Sequence, residues 1–181
     1  NPLGIYGTLK YSGELILKAY HRVFDIPYTI VRPSALYGER CVSRRVGQIF
    51  IENAVQGKDV NVAGDGSDRL DFTYIDDVIQ GLYQLKDSDN SGVYNIGSNN
   101  TESLNNVISY IENILNIKAK IDYQPRAFKD VDVVIPDLSK MINLNWKPKV
   151  NIETGIKNTI EWYLEYKEQL KEIKFKFDYE K

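Results

Sequence analysis

Tyr6 and Lys10 lie four residues apart in this 181-residue chain. On a helix that spacing puts both side chains on one face, one turn apart. A phenol with an ordinary pKa of ~10 is a poor base near neutrality. An ammonium within a few ångström favours the phenolate and brings that value down. The pair therefore suits proton transfer at an alcohol, the partner reaction of hydride transfer to a nicotinamide. Spacing alone is weak support. A chain with 13 tyrosines is expected to hold one Tyr-x-x-x-Lys by chance, and Tyr163 and Lys167 form a second in a segment that reads as structural.

The remaining reactive side chains are few. The single histidine, His21, rules out His-pair metal motifs and leaves a Ser-His-Asp triad one candidate base; it reads as a surface residue in mid-helix. The single cysteine, Cys41, rules out an internal disulfide framework or a Cys-rich zinc site, and reads as an inert loop thiol. Arg44-Arg45 offers paired guanidiniums for an oxyanion, or the start of a solvated helix. Asp76-Asp77 reads as helix capping rather than an acid/base pair, and Trp146 and Trp162 read as core.

The elements that must position these groups alternate in type. A helix is predicted after Tyr6-Gly7-Thr8 to Phe24, broken by Asp25-Ile26-Pro27, then a buried strand over Tyr28–Val31 ending at Arg32-Pro33. A loop is expected from Ser34 to Ser43, a helix over Val46–Val55 and a small strand over Val60–Val62. Phe72–Ile75 reads as extended, followed by a helix to Leu85 and a strand over Val93–Gly97. Thr101-Glu102-Ser103 is expected to open a helix; a strand over Lys120–Tyr123 and a final helix over Ile152–Tyr166 complete the series. Such alternation indicates an α/β protein.

Composition narrows the classes. Apolar residues make up 43%, enough for a core, and 23 basic against 25 acidic side chains argue against a nucleic-acid-binding surface. No apolar run approaches the ~18–20 residues of a membrane span, and no signal peptide opens the chain. A cytoplasmic protein with no membrane or nucleic-acid partner and no metal is expected. The chain opens without Met, at what looks like a strand-to-helix junction, and reads as a fragment.

The order of motifs resembles the extended short-chain dehydrogenase/reductases, specifically the NAD-dependent sugar-nucleotide epimerase/dehydratase family. Tyr6-Gly7-Thr8-Leu9-Lys10 with Gly13-Glu14 resembles the family's Tyr-x-x-x-Lys helix, and Val31 to Gly38 resembles its Arg-Pro-Phe-Asn-Val-Tyr-Gly-Pro strand and loop. Gly64-Asp65-Gly66 and Asp71 to Asp77 resemble the Gly-Asp-Gly…Arg-Asp-Phe-x-Tyr-Val-x-Asp block, and Tyr94 to Gly97 the next strand. Asp130-Val131, Asp137 to Lys140, Trp146-Lys147-Pro148 and Gly155…Trp162-Tyr163 resemble the C-terminal signature.

The resemblance implies the C-terminal portion of a Rossmann-type parallel sheet plus a small mixed α/β substrate-binding domain. Residues 1–37 and 71–97 would be the last elements of the NAD(P)-binding part, and 38–70 and 98–181 the substrate-binding part. It implies Tyr6 as the catalytic base, Lys10 as the group that lowers its pKa and bonds the nicotinamide ribose, and Pro33 beside the nicotinamide, with NAD or NADP as cofactor. The family's pyrophosphate loop and its Ser/Thr partner of the tyrosine have no counterpart here, so the chain alone is expected to neither hold NAD tightly nor turn over. The family asparagine corresponds to Ala35. The family arginine before Asp-Phe corresponds to Leu70, with Arg69 one position early. A later family arginine corresponds to Ala127, with Arg126 one position early and Asp130 matching the acidic residue beside it.

Arg69, Arg126, Asp130 and Arg44 are thus the expected substrate contacts. The implied enzyme is a nucleotide-sugar epimerase, or a dehydratase, forming a homodimer through the Tyr6–Lys10 helix, whose second face carries Leu17 and Tyr20. Loss of the two diphosphate contacts leaves a reductase of a non-nucleotide alcohol or ketone, or a non-catalytic binding module, as alternatives.

Overall fold

A computed structural model describes residues 2, 4–41, 45–86, 91–125 and 135–172. The order is α1 (Ile5–Phe24), β1 (Thr29–Pro33), β2 (Ala35–Tyr37), α2 (Val46–Val55), β3 (Val60–Ala63), β4 (Arg69–Tyr74), α3 (Ile75–Lys86), β5 (Gly92–Ile96), β6 (Thr101–Ser103), α4 (Leu104–Leu115), β7 (Ile121–Gln124), α5 (Ser139–Asn143) and α6 (Ile152–Glu172). The expected α/β class is the observed one. Among the described residues no helix is long and apolar enough to cross a membrane.

Among the described residues the strands form three small groups. β1 runs parallel to β5 with Val31 opposite Tyr94; β2 runs parallel to β4, which also pairs antiparallel with β6; β3 runs parallel to β7. Non-local parallel pairs need covered faces, and β4 shows it: Asp71, Phe72, Thr73 and Tyr74 are buried in succession. α2, α4 and α6 cover this strand and enclose a core that includes Phe50, Ile51, Phe72, Ile111 and Ile160. A second core joins Val78 and Leu85 of α3 to Tyr94 and Ile96 of β5, with Met141 and Trp146.

Two buried carboxylates bind the pieces together. Asp71 accepts from the Ser98 amide at 2.7 Å, the Ser98 hydroxyl at 2.6 Å, the Asn99 amide at 3.1 Å and the Ser34 hydroxyl at 3.2 Å. It thereby ties β4 to the ends of both β1 and β5. Asp77 accepts from the Lys149 and Val150 amides at 2.9 and 3.0 Å. The expected capping role of Asp77 is replaced by this tertiary bracket, because α3 already starts at Ile75 and carries the carboxylate inward.

Several boundaries differ from expectation. α1 begins at Ile5, so Tyr6 lies inside the helix. The stretch expected as loop contains β2, and Thr101–Ser103 is a strand before Ser103 caps α4 by accepting from the Asn106 amide at 3.1 Å. Both strands are three residues long and exist only through pairing with β4, which local pattern cannot register. His21 is not a plain surface residue: its Nδ1 lies 2.9 Å from the Ile26 carbonyl and its ring meets Tyr28 edge-on, at the end of α1.

α1 stands apart from both cores. None of its twenty residues is buried, and Leu9, Ile16, Val23 and Phe24 are more than half exposed.

Candidate active site

A cleft of about 980 Å³ lies among α1, the end of β1, β2, β4 and the approach to α2. Two glycines let its walls close. Gly38 takes φ 143°, and a Cβ there would come within 2.5 Å of Ile75 Cγ2. Gly155 lets α6 pass Tyr37, whose hydroxyl oxygen would be 2.1 Å from an added Cβ.

Tyr6, Lys10 and Glu14 follow one another at four-residue steps on α1, and all three line the cleft. The Lys10 Nζ is 5.7 Å from the centre of the Tyr6 ring, and the tyrosine is 70% exposed. Pro33, at the end of β1, lines the same space. Tyr37 is the second tyrosine of the wall, but it is buried; burial first, then Tyr74 and Asp77 nearby, push its phenol up, which keeps it protonated. The other Tyr-x-x-x-Lys pair is structural: Tyr163 is 5% exposed and accepts from the Gln56 amide nitrogen at 2.9 Å.

Glu14 and Arg32 form a two-pronged ion pair, Nε to Oε1 at 2.7 Å and Nη2 to Oε2 at 2.5 Å. The hydrogen bond from Arg32 holds the Glu14 carboxyl below the usual carboxylate range, and the same bond raises the arginine. Arg40 and Arg45 also line the cleft, with Glu39. Among the described residues the lining carries four cations, Lys10, Arg32, Arg40 and Arg45, against two carboxylates, in a chain of net charge −2. Such a field favours an anionic ligand.

The expected site residues divide. Tyr6, Lys10 and Pro33 come together on the cleft. Arg69 does not: its Nε donates to the Thr101 hydroxyl at 3.1 Å and its Nη2 to the Thr101 carbonyl, while its neighbour Leu70 faces the cleft with Ala35. Successive residues of a strand point to opposite faces, so the one-residue offset is not made good by a loop shift. Arg44, Arg126 and Asp130 lie outside the described residues. Cys41 is half-buried and lines the cleft. Glu14 and Arg32 carried a signal that spacing alone undervalues: Glu14 continues the Tyr6–Lys10 row by one more turn, and Arg32 precedes Pro33.

The described residues thus form an α/β frame with an exposed Tyr–Lys pair on a cation-rich cleft. Residues 1–97 match the model of the NAD dependent epimerase/dehydratase family, and the chain belongs to that family. It is 33% identical over 175 residues to a UDP-glucuronate 4-epimerase of Thermodesulfobacterium geofontis, covering 96% of this chain and 54% of that protein. Among solved structures it resembles the UDP-glucose 4-epimerase of Thermotoga maritima with UDP-glucose (TM-score 0.86, 31% identity, 91% of this chain and 55% of that one). It also resembles the UDP-glucuronic acid 4-epimerase of Bacillus cereus in complex with UDP-glucuronic acid and NAD (TM-score 0.87, 30% identity, 91% and 54%). The chain thus spans about half the length of the relatives it matches.

Proposed function

We propose that this chain is the C-terminal part of an NAD-dependent nucleotide-sugar epimerase, with Tyr6 and Lys10 as its proton-transfer pair. One observation carries the reading: the exposed phenol of Tyr6 and the ammonium of Lys10 meet in a cleft that also reaches Pro33. In this reading the Tyr6 oxygen takes the proton of the sugar hydroxyl and later returns it. The Lys10 ammonium stabilises the phenolate that accepts this proton and would donate to a ribose hydroxyl of the cofactor. Pro33 flanks the nicotinamide. When bound, NAD would supply reversible hydride transfer at the sugar carbon, with no net consumption of cofactor. The cleft fits the nicotinamide end of such a group together with a sugar, since ligand sites run to about 300–1,000 Å³.

The pyrophosphate-binding glycine loop and a Ser/Thr partner for Tyr6 are assigned to a segment preceding residue 1 in the whole enzyme, a view supported by the half-length match. Residues 1–37 and 71–97 are assigned to the cofactor side and 38–70 and 98–181 to the substrate side. The first core joins Tyr37, Phe72 and Tyr74 to α2, α4 and α6, and the second joins Met141 and Trp146 to α3 and β5. An epimerase is preferred to a dehydratase because it needs the fewest added groups. Dimerisation through α1 belongs to the same reading, supported by the exposure of Leu17 and Tyr20.

The test is Tyr6→Phe in the full-length protein, offered UDP-glucose and UDP-glucuronate. Turnover should fall at least about 100-fold while NAD stays bound; wild-type turnover would remove Tyr6 from the mechanism. A second reading has one observation in its favour: Ala35 and Leu70 present apolar surface to the cleft where the family carries Asn and Arg. A reductase of a non-nucleotide ketone would show net NADH oxidation with simple ketones and none of the sugar interconversion.

A further inference from the structure

We propose that Ser34 is a positioning residue: its hydroxyl, held by Asp71 and Thr73, is the joint that fixes the strand pair carrying Pro33 against the strand pair carrying Ala35. It thereby sets the place of the nicotinamide relative to the sugar, and so rests on the reading of Tyr6, Lys10 and Pro33 given above. Ser34 is the one residue between β1 and β2. Up to Pro33, which stands opposite Ile96, the chain pairs with β5; from Ala35, which stands opposite Phe72, it pairs with β4. The segment therefore changes its partner strand at a single residue, and Pro33, Ser34 and Ala35 all line the cleft. A strand that passes from one sheet to another does so through a bend, and the ladders on either side leave the angle of that bend to the residue between them.

The side chains supply what the ladders leave open. The Ser34 amide still donates to the Ile96 carbonyl at 2.9 Å. Its hydroxyl turns to β4 instead, 2.5 Å from the Thr73 hydroxyl and 3.2 Å from Asp71 Oδ1. Backbone and side chain of one residue thus bind the two strand pairs. Asp71 closes the circuit, because it also accepts from the Ser98 hydroxyl and from the amides of Ser98 and Asn99, just beyond β5. Gly97 leaves the carboxylate room, since an added Cβ there would stand 2.8 Å from Asp71 Oδ2. Asp71 is 2% exposed and Thr73 fully buried, so neither a preceding segment nor a second copy can take over their bonds. In a buried network each hydrogen bond strengthens its neighbours. Removing the Ser34 hydroxyl leaves both ladders and the Asp71–Ser98 contacts in place and frees the joint alone. A misplacement of ~1 Å between reacting groups can cost about 100-fold in rate.

The experiment uses the full-length protein with NAD bound and compares Ser34→Ala, Thr73→Val and Ser34→Thr. For each, kcat and KM are measured on the UDP-sugar that the wild type turns over, and again on that sugar deuterated at the reacting carbon. Amide exchange is followed at Ser98 and Asn99. Ser34→Ala and Thr73→Val should each lose at least about tenfold in kcat with KM within about twofold. Their isotope effect on kcat should rise, because hydride transfer becomes the slow step. Ser34→Thr, which restores a hydroxyl, should recover most of kcat. Exchange at Ser98 and Asn99 should quicken in Ser34→Ala, since the two sites are coupled through Asp71. Wild-type kcat in Ser34→Ala would overturn the proposal, as would a loss confined to KM, which would make the hydroxyl a ligand contact. Unchanged exchange at Ser98 and Asn99 overturns it without reference to activity. Normal turnover in Tyr6→Phe sinks the underlying reading instead, and the exchange measurement still decides whether Ser34 holds the joint.

Discussion

Leu70→Arg tests which face of β4 meets the substrate. Leu70 lines the cleft and Arg69 does not, so an arginine at 70 places a guanidinium where a diphosphate would lie. A charge-assisted hydrogen bond contributes about 1.5–3 kcal/mol, or roughly a ten- to hundredfold gain in affinity. The lower end applies here. Leu70 stands directly opposite Glu102 in the antiparallel pair with β6, and opposed side chains share a face, so part of the new charge is drawn to Glu102. About tenfold tighter UDP binding is expected for Leu70→Arg, rising further in Leu70→Arg/Glu102→Gln. Arg69→Ala should leave UDP affinity unchanged and cost about 1 kcal/mol of stability through its lost bonds to Thr101. Titration calorimetry of UDP against the full-length protein reads each value. The register argument fails if Leu70→Arg leaves affinity unchanged while Arg69→Ala weakens it.

Tyr163→Phe removes the acceptor of the Gln56 bond, so it should cost about 1 kcal/mol in denaturant unfolding with turnover unaffected, in contrast to Tyr6→Phe. Gly155→Ala drives a methyl into the Tyr37 hydroxyl; a loss of about 1–3 kcal/mol, read as a lower Tm, is expected. The pH dependence follows from Glu14, held below its ordinary value of 4.5 first by its hydrogen bond from Arg32. A depressed carboxyl contributes stability above its unfolded value and loses it as pH falls through the folded one. Amide protection in α1 should therefore hold from neutrality down to the ordinary carboxylate range and fade as pH falls below it. The stake is about 1 kcal/mol, because Arg32 is 48% exposed and solvent screens the pair. Protection that stays flat well below that range would show that the pair adds nothing to the stability of α1.

Most helices and the longer strands were legible along the chain because their signals are local. The α2 bounds, Val46–Val55, agree with the apolar spacing and the stop at Gly57, and the Val60/Val62 alternation appears as buried positions of β3. β2 and β6 were not legible, since three residues carry no period and their state is decided by β4 alongside. Asp77 misled for a related reason: a carboxylate beside a helix start has one local use, capping, and its actual partners lie more than seventy residues away.

By itself the sequence determined the α/β class, the Tyr6–Lys10 face and the departures at Ala35 and Leu70, all of which depend on residue type and order. Only the tertiary structure gave the exposures that separate the two Tyr-x-x-x-Lys pairs, burying Tyr163 and leaving Tyr6 open to the cleft. It also decided that Arg69 is engaged with Thr101 while Leu70 faces inward, and it brought Glu14 to Arg32 across two elements. The physical reason is common to these cases. Exposure, strand face and ion-pair geometry are properties of what a side chain meets in space, and a neighbour distant in sequence leaves no mark on local spacing.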